Sequence, residues 1–241
     1  MLRGDPNGDL RERLALYAVV PEGLGERALV ETVEAAIEGG VGFVQLREKG
    51  LDDASYADLA RRLRETTGRH GVPLVVNDSV EAAIASGADG VHVGQSDCDA
   101  AEARRRLPPG SILGVSVNGV DEARAAERAG ADYLGVGAVF PTSTKPDARD
   151  ASIALLSEIC ASVSIPVVAI GGISADNARL LSGTGIAGIA VVSALFGPAG
   201  REFGAAGTRE AARVLRAAAD ELLARESAGT RCAEPYGREN A

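Results

Sequence analysis

One pattern recurs along the chain and limits what it can fold into. It appears as Glu38-Gly-Gly-Val-Gly-Phe-Val-Gln45, Ser86-Gly-Ala-Asp-Gly-Val-His-Val-Gly94, Ala129-Gly-Ala-Asp-Tyr-Leu-Gly-Val-Gly137 and Gly185-Ile-Ala-Gly-Ile-Ala-Val-Val-Ser193. Each reads as a helix ending in Gly, a tight turn and a short apolar strand, because Gly suits the left-handed position after a helix. Strands of a second type lie between these units: Val72–Asn77, Ser111–Ser116 and Ile165–Ile170. Leu14–Val20 opens the series, which then counts to eight strands. Helical spacing of apolar residues fills the gaps at Ala28–Ile37, Tyr56–Thr66, Val80–Ala85, Glu122–Ala129 and Ala175–Leu181. Strands alternating with helices imply a parallel sheet. Eight such units favour closure into a (β/α)8 TIM barrel, with an open doubly wound sheet as the alternative. The length of 241 residues suits a barrel of ~250.

Composition narrows the function classes. Hydrophobic residues make up 46% and aromatics only 3%, so the core should be built from Val, Ile, Leu and Ala. A formal charge of −9 repels phosphodiester backbones, which argues against nucleic acid as a partner. No apolar run reaches the ~18 residues of a membrane span, and the polar start is no signal peptide. Cys98, Cys160 and Cys232 have no paired spacing and read as reduced thiols of a cytoplasmic protein. Residues 1–13 read as a polar lead-in, 14–225 as one barrel domain, and 226–241 as a disordered tail. Nothing in the sequence sets the oligomeric state, and a homo-oligomer is compatible with it.

In such barrels the reactive groups lie at the C-terminal ends of the strands. The second strand exits as Val44-Gln-Leu-Arg-Glu-Lys49, where alternation puts Gln45, Arg47 and Lys49 on one face. Two cations and an amide there suit a polyanion. Lys49 and Lys145 are also the only lysines among 25 basic residues. The third and fourth strands exit at Asp78 and Asp97. Adjacent parallel strands are ~4.8 Å apart, so both carboxylates can reach one Mg²⁺. Taken singly, each Asp would read as a helix N-cap. Taken together, opposite a cationic face, they read as metal ligands. The fifth strand exits at Ser116, and the sixth leads into Pro141-Thr-Ser-Thr-Lys-Pro146. The seventh exits through Gly171-Gly172 and the eighth through Val192-Ser193, where backbone N–H groups can approach an anion. The mouth should therefore hold a pyrophosphate subsite and, across from it, a monophosphate subsite. No activated nucleophile is evident, and His92 within its strand reads as a core residue.

These motifs resemble the thiamine-phosphate synthase family from about Leu16 to Phe196. The carrying segments are Gln45-Leu-Arg-Glu-Lys49, Asn77-Asp78, His92-Val-Gly-Gln-Ser-Asp97, Gly114-Val-Ser116, Pro141-Thr-Ser-Thr-Lys145, Ile170-Gly-Gly-Ile173 and Val192-Ser193. The resemblance implies a transferase that joins 4-amino-2-methyl-5-hydroxymethylpyrimidine diphosphate to 4-methyl-5-(2-phosphoethyl)thiazole. Gln45, Leu46, Arg47, Glu48, Lys49, Asn77, Ser116 and Lys145 would contact the pyrimidine diphosphate. Asp78 and Asp97 would bind Mg²⁺. Thr142, Ser143, Thr144, Gly172, Val192 and Ser193 would hold the thiazole phosphate. Arg47, Lys49, Ser116 and Lys145 would serve catalysis. Two positions depart from the family pattern: Asn118, where a His is frequent, and Ala138, where a Pro is frequent. A related thiazole tautomerase acts on the thiazole phosphate alone, but Asp97 and the Pro-Thr-Ser-Thr-Lys run favour the synthase. A non-catalytic phosphate-binding barrel would be expected to have lost Asp78 or Asp97.

Overall fold

The computed structural model describes residues 6–142, 151–198 and 202–230, with side chains from 10 to 225 within those spans. Eight parallel strands close a barrel in sequence order. They are β1 (Leu16–Val20), β2 (Phe43–Leu46), β3 (Leu74–Asn77), β4 (Gly90–Val93), β5 (Ile112–Val117), β6 (Tyr133–Val136), β7 (Val167–Ile170) and β8 (Gly188–Val191). Closure is made by β8 pairing with β1, Leu16 opposite Ile189 and Ala18 opposite Val191. The open-sheet alternative is thereby excluded. Helices wrap the outside: α2 (Glu26–Glu38), α3 (Asp53–Arg69), α4 (Val80–Ser86), α5 (Ala100–Arg106), α6 (Val120–Arg128), α7 (Ile153–Ser162), α8 (Ser193–Phe196) and α9 (Gly204–Thr230).

Strand alternation sorts the apolar residues into two cores. Leu16, Ala18, Val20, Val44 and Leu46 face outward, into the layer shared with the helices. Tyr17, Val19, Phe43, Val75, Tyr133, Val168 and Ala190 face inward. The outer layer is almost wholly aliphatic, as the composition implies, with Tyr56 and Phe196 its buried aromatics. The inner core is not. Tyr17, Phe43 and Tyr133 meet edge to face there, with centroids 4.7, 5.5 and 5.9 Å apart. These orientations suit aromatic quadrupoles and fill the centre of the barrel with few residues.

Three segments differ from the sequence reading. The lead-in is partly a helix, α1 (Pro6–Arg13). Its Leu10, together with Leu14, joins the inner core and closes the bottom of the barrel. The stretch over Ala175–Leu181 is only a 3-10 helix from Ala178 to Leu181. The proposed tail begins inside α9, whose backbone runs to Thr230. The rest of the tail, residues 231–241, lies outside the described residues. No described helix is long and apolar enough to cross a membrane.

Because Leu14 is fully buried where the bottom closes, Leu14→Ala should cost ~2–5 kcal/mol of unfolding free energy. Urea denaturation measures this, and a loss below ~1 kcal/mol would show that the plug carries little of the fold.

Candidate active site

The C-terminal rim of the barrel opens into one cavity of about 690 Å³. That volume lies within the range of ligand sites. Its wall at the β2 exit contains Gln45, Arg47 and Lys49, but not Leu46 or Glu48. Strand alternation explains the split. Leu46 turns into the outer core, and its carbonyl accepts from the Tyr56 hydroxyl at 2.7 Å. Glu48 accepts from the Gly23 N–H at 3.1 Å. Of the β2-exit residues that the family resemblance implicates, the structure brings three to the cavity and turns two away.

Arg47 is not alone in the wall. It forms an ion pair with Glu22, which reaches in from the loop after β1. An incoming polyanion must compete with that carboxylate. The sequence offers no signal for Glu22, because its partner comes from another strand exit.

Asn77, Asp78 and Asp97 line the cavity beside the cations. Neither Asp is a helix cap. Ser79 caps α4 and Asp99 caps α5. Asp78 has φ of 66°, the one positive value at a non-glycine among the described residues. Asp tolerates this left-handed conformation better than most side chains, yet it still marks a constrained position. The constraint is built by neighbours. The Asp78 N–H bonds the His92 carbonyl at 2.8 Å. The Tyr56 hydroxyl from α3 bridges Leu46 and the backbone of Asn77, at 2.7 and 3.2 Å. Asp97 folds back over its own strand exit and accepts from the Gly94 N–H at 2.8 Å.

Both carboxyls face the same cavity, from adjacent strand exits. Burial pushes Asp78 up to about 6, and Asp97 adds to the rise, while Lys49 and Arg47 oppose it. A carboxylate pair held this way, open to the cavity, suits a hard cation that takes its remaining ligands from water and phosphate. Among the described residues no cluster of three or more His, Cys, Asp or Glu could enclose a metal. A Mg²⁺ with few protein ligands is compatible with that.

Across the cavity lie Thr142, Gly171, Gly172, Val192 and Ser193. Gly171 and Gly172 have φ of 99° and 64°, which favour glycine. Their missing side chains also leave room for the loop after β6. A Cβ on Gly172 would fall 2.8 Å from the Phe140 carbonyl oxygen. Asn177 ties this exit by donating to the Gly172 carbonyl at 2.9 Å. Ala138, where the family often has Pro, follows a cis peptide bond from Gly137. Asn118 lines the cavity and bonds Glu122 through its backbone and side-chain nitrogens, at 2.7 and 3.1 Å. Ser143, Thr144 and Lys145 lie outside the described residues. His92, read as a core residue, reaches the cavity wall, with Tyr17 beneath. Ser116 lines it from β5.

The raised proton affinity of Asp78 has a sign that can be tested. The folded chain holds a proton that the unfolded chain has released, so stability falls as pH rises from the ordinary carboxylate range to about 6. Asp78→Asn removes that cost and keeps a side chain that tolerates left-handed backbone. In buffer free of divalent cations the variant should melt higher than its parent at about pH 8, and the gain should disappear by about pH 4. An equal loss of stability at both pH values would contradict this account.

A family model described as thiamine monophosphate synthase matches residues 16–195. A thiamine-phosphate synthase from Ruminiclostridium cellulolyticum is 51% identical over 181 residues, 75% of this chain and 86% of the relative. Another from Geobacillus kaustophilus is 44% identical over 217 residues, 87% of this chain and 97% of the relative. Among solved structures, thiamine phosphate pyrophosphorylase from Pyrococcus furiosus superposes with a TM-score of 0.76 at 39% identity, covering 89% of this chain and 99% of that one. The chain therefore belongs to the thiamine monophosphate synthase family.

Proposed function

We infer that this chain is a thiamine-phosphate synthase that joins the pyrimidine diphosphate to the thiazole phosphate and releases pyrophosphate. The observation that carries this reading is the division of one cavity. Its β2–β4 side holds Arg47, Lys49 and the Asp78–Asp97 pair, while its β7–β8 side offers Gly171, Gly172 and Ser193. The first side suits a diphosphate with a divalent cation, and the second suits a monophosphate. Asp78 and Asp97 would hold Mg²⁺, which when bound neutralises charge on the diphosphate.

The protein's own groups supply attraction and alignment. Arg47 and Lys49 draw the diphosphate to the rim, and Arg47 exchanges Glu22 for a phosphate oxygen. The C–O bond between the pyrimidine methylene and the diphosphate breaks, and its electron pair leaves with pyrophosphate. The exocyclic amine of the pyrimidine stabilises the carbocation. The thiazole nitrogen then uses its free lone pair to form the C–N bond. No base has to remove a proton from that nitrogen. Holding the two rings in line within the cavity supplies much of the acceleration. Lys145, which follows β6 in the sequence, would add charge to the diphosphate side. The setting is taken as cytoplasmic, in keeping with the unpaired cysteine spacing of the sequence.

The test is to mix the protein with both substrates, with Mg²⁺ or with EDTA, and to measure thiamine phosphate by its fluorescent oxidation product. Metal-dependent product is expected. A folded protein that yields none would refute the reading. Asp78→Ala and Asp97→Ala should each lower kcat by about 10²–10³, the scale of losing a major electrostatic contact in a transition state. Near-normal turnover at saturating Mg²⁺ would remove them from the metal site.

A further inference from the structure

The floor of the cavity carries an unbroken chain of polar side chains from five strands. Gln45 donates through Nε2 to the Tyr17 hydroxyl. The Tyr17 and Tyr133 hydroxyls lie 2.8 Å apart. Tyr133 Oη is 2.9 Å from His92 Nδ1. His92 Nε2 is 2.9 Å from Ser116 Oγ. The first four residues are buried, and Ser116 alone is half-exposed. Tyr133 is 0% exposed.

Glycines make this contact possible. Gly114 on β5 stands in register between His92 on β4 and Tyr133 on β6. A Cβ there would collide with both rings. Gly135 stands opposite Ser116, and a Cβ on it would come within 3.2 Å of His92 Cε1. Two missing side chains thus let a His and a Tyr meet across an intervening strand.

The chain has a direction. A hydroxyl has one hydrogen to give, and a neutral imidazole has one N–H and one bare nitrogen. The hydrogens therefore run all one way or all the other. At one end the Gln45 amide nitrogen donates to Tyr17, which leaves Tyr133 as the partner in reach of Tyr17's own hydrogen. At the imidazole, a phenol is the better donor and an alcohol the better acceptor, because the phenol is far more acidic. Both features send the Tyr133 hydrogen to His92 Nδ1 and the Nε2 hydrogen to Ser116. Burial keeps both tyrosines as phenols by raising their proton affinity.

We propose that Gln45, Tyr17, Tyr133 and His92 form a one-way donor chain that holds His92 as its Nε2–H tautomer and commits Ser116 to donate into the cavity. Tyr133 and His92 are positioning residues. Ser116 is the group that meets the substrate. Resting on the function proposed above, its target is an oxygen of the diphosphate, since β5 borders the strand whose exit carries Asp97. That oxygen gains negative charge as the C–O bond breaks, so a donor already aimed at it binds the transition state better than the ground state.

The direct test is the ¹⁵N NMR spectrum of the whole chain with labelled histidine. Only His70 and His92 contribute, and a His70→Asn variant assigns the signals. The expected result is a protonated Nε2 and a bare Nδ1 on His92. A protonated Nδ1, alone or together with Nε2, would overturn the proposal. Tyr133→Phe should turn His92 into a mixture of tautomers and lower kcat about tenfold, with a smaller change in KM, the scale of one misdirected hydrogen bond. Tyr17→Phe leaves the Tyr133 hydroxyl in place, so it should keep the Nε2–H tautomer and lose less kcat. Tyr133→Phe with tautomer and kcat both unchanged would also overturn the proposal. The tautomer is read without turnover, so an inactive protein with Nε2–H would refute the proposed activity and uphold the donor chain.

Discussion

The hydrogen-bonded closure of β8 on β1 is the constraint on which the rest depends. Parallel strands in a closed ring bring all eight C-terminal ends to one rim. Pleating then divides every strand between an outer and an inner face. The inner face is apolar below, where Leu10, Leu14 and the Tyr17–Phe43–Tyr133 cluster fill the space. It turns polar above, where Gln45, Asn77, His92 and Ser116 line the cavity. Tyr17 and Tyr133 belong to both levels. Their rings pack in the core, and their hydroxyls form the middle of the polar chain. The floor of the site is thus also the top of the barrel core, and this fixes its side chains within narrow limits.

At the rim, electrostatics arrange the groups in opposition. Burial and the neighbouring Asp97 raise the proton affinity of Asp78, while Lys49 and Arg47 stand close enough to favour its charged form. Glu22 occupies the Arg47 guanidinium. Each of these contacts is one that a diphosphate with a divalent cation would satisfy better: the cation relieves the carboxylates, and the phosphate oxygens replace Glu22. The left-handed backbone at Asp78 is held by His92 and Tyr56 from two other elements. The aim of the carboxylate is therefore set by the scaffold before any ligand arrives.

Much of this was legible in the chain. The Gly–turn–strand repeat marks four strands because it depends on local backbone freedom, the apolar runs between its copies mark the other four, and all eight strands fall on these segments. The exit of β2 was legible for a similar reason. Alternation alone places Gln45, Arg47 and Lys49 together, and it also turns away Leu46 and Glu48, which only the family resemblance assigned to the site. What escaped depends on contacts across the fold. Glu22 meets Arg47 from a different exit. His92 reads as a core residue until register places it opposite Gly114, with Tyr133 beyond, 41 positions away in the chain. The lead-in is polar on average, and only the burial of its Leu10 beside Leu14 reveals that it closes the barrel. The single-residue reading of the two aspartates as caps fails because Ser79 and Asp99 stand next in line for that role.

The central claim is that the β3 and β4 exits hold a cation that anchors a diphosphate on the Arg47–Lys49 side of the cavity. A crystal of the protein grown with Mn²⁺ and pyrophosphate tests it most directly, because the anomalous signal of manganese locates the ion independently of any model. The account predicts one peak between the carboxylates of Asp78 and Asp97, with a pyrophosphate oxygen completing its shell and Arg47 turned from Glu22 to the phosphate. A peak elsewhere, or pyrophosphate bound at the β7–β8 side, would contradict it.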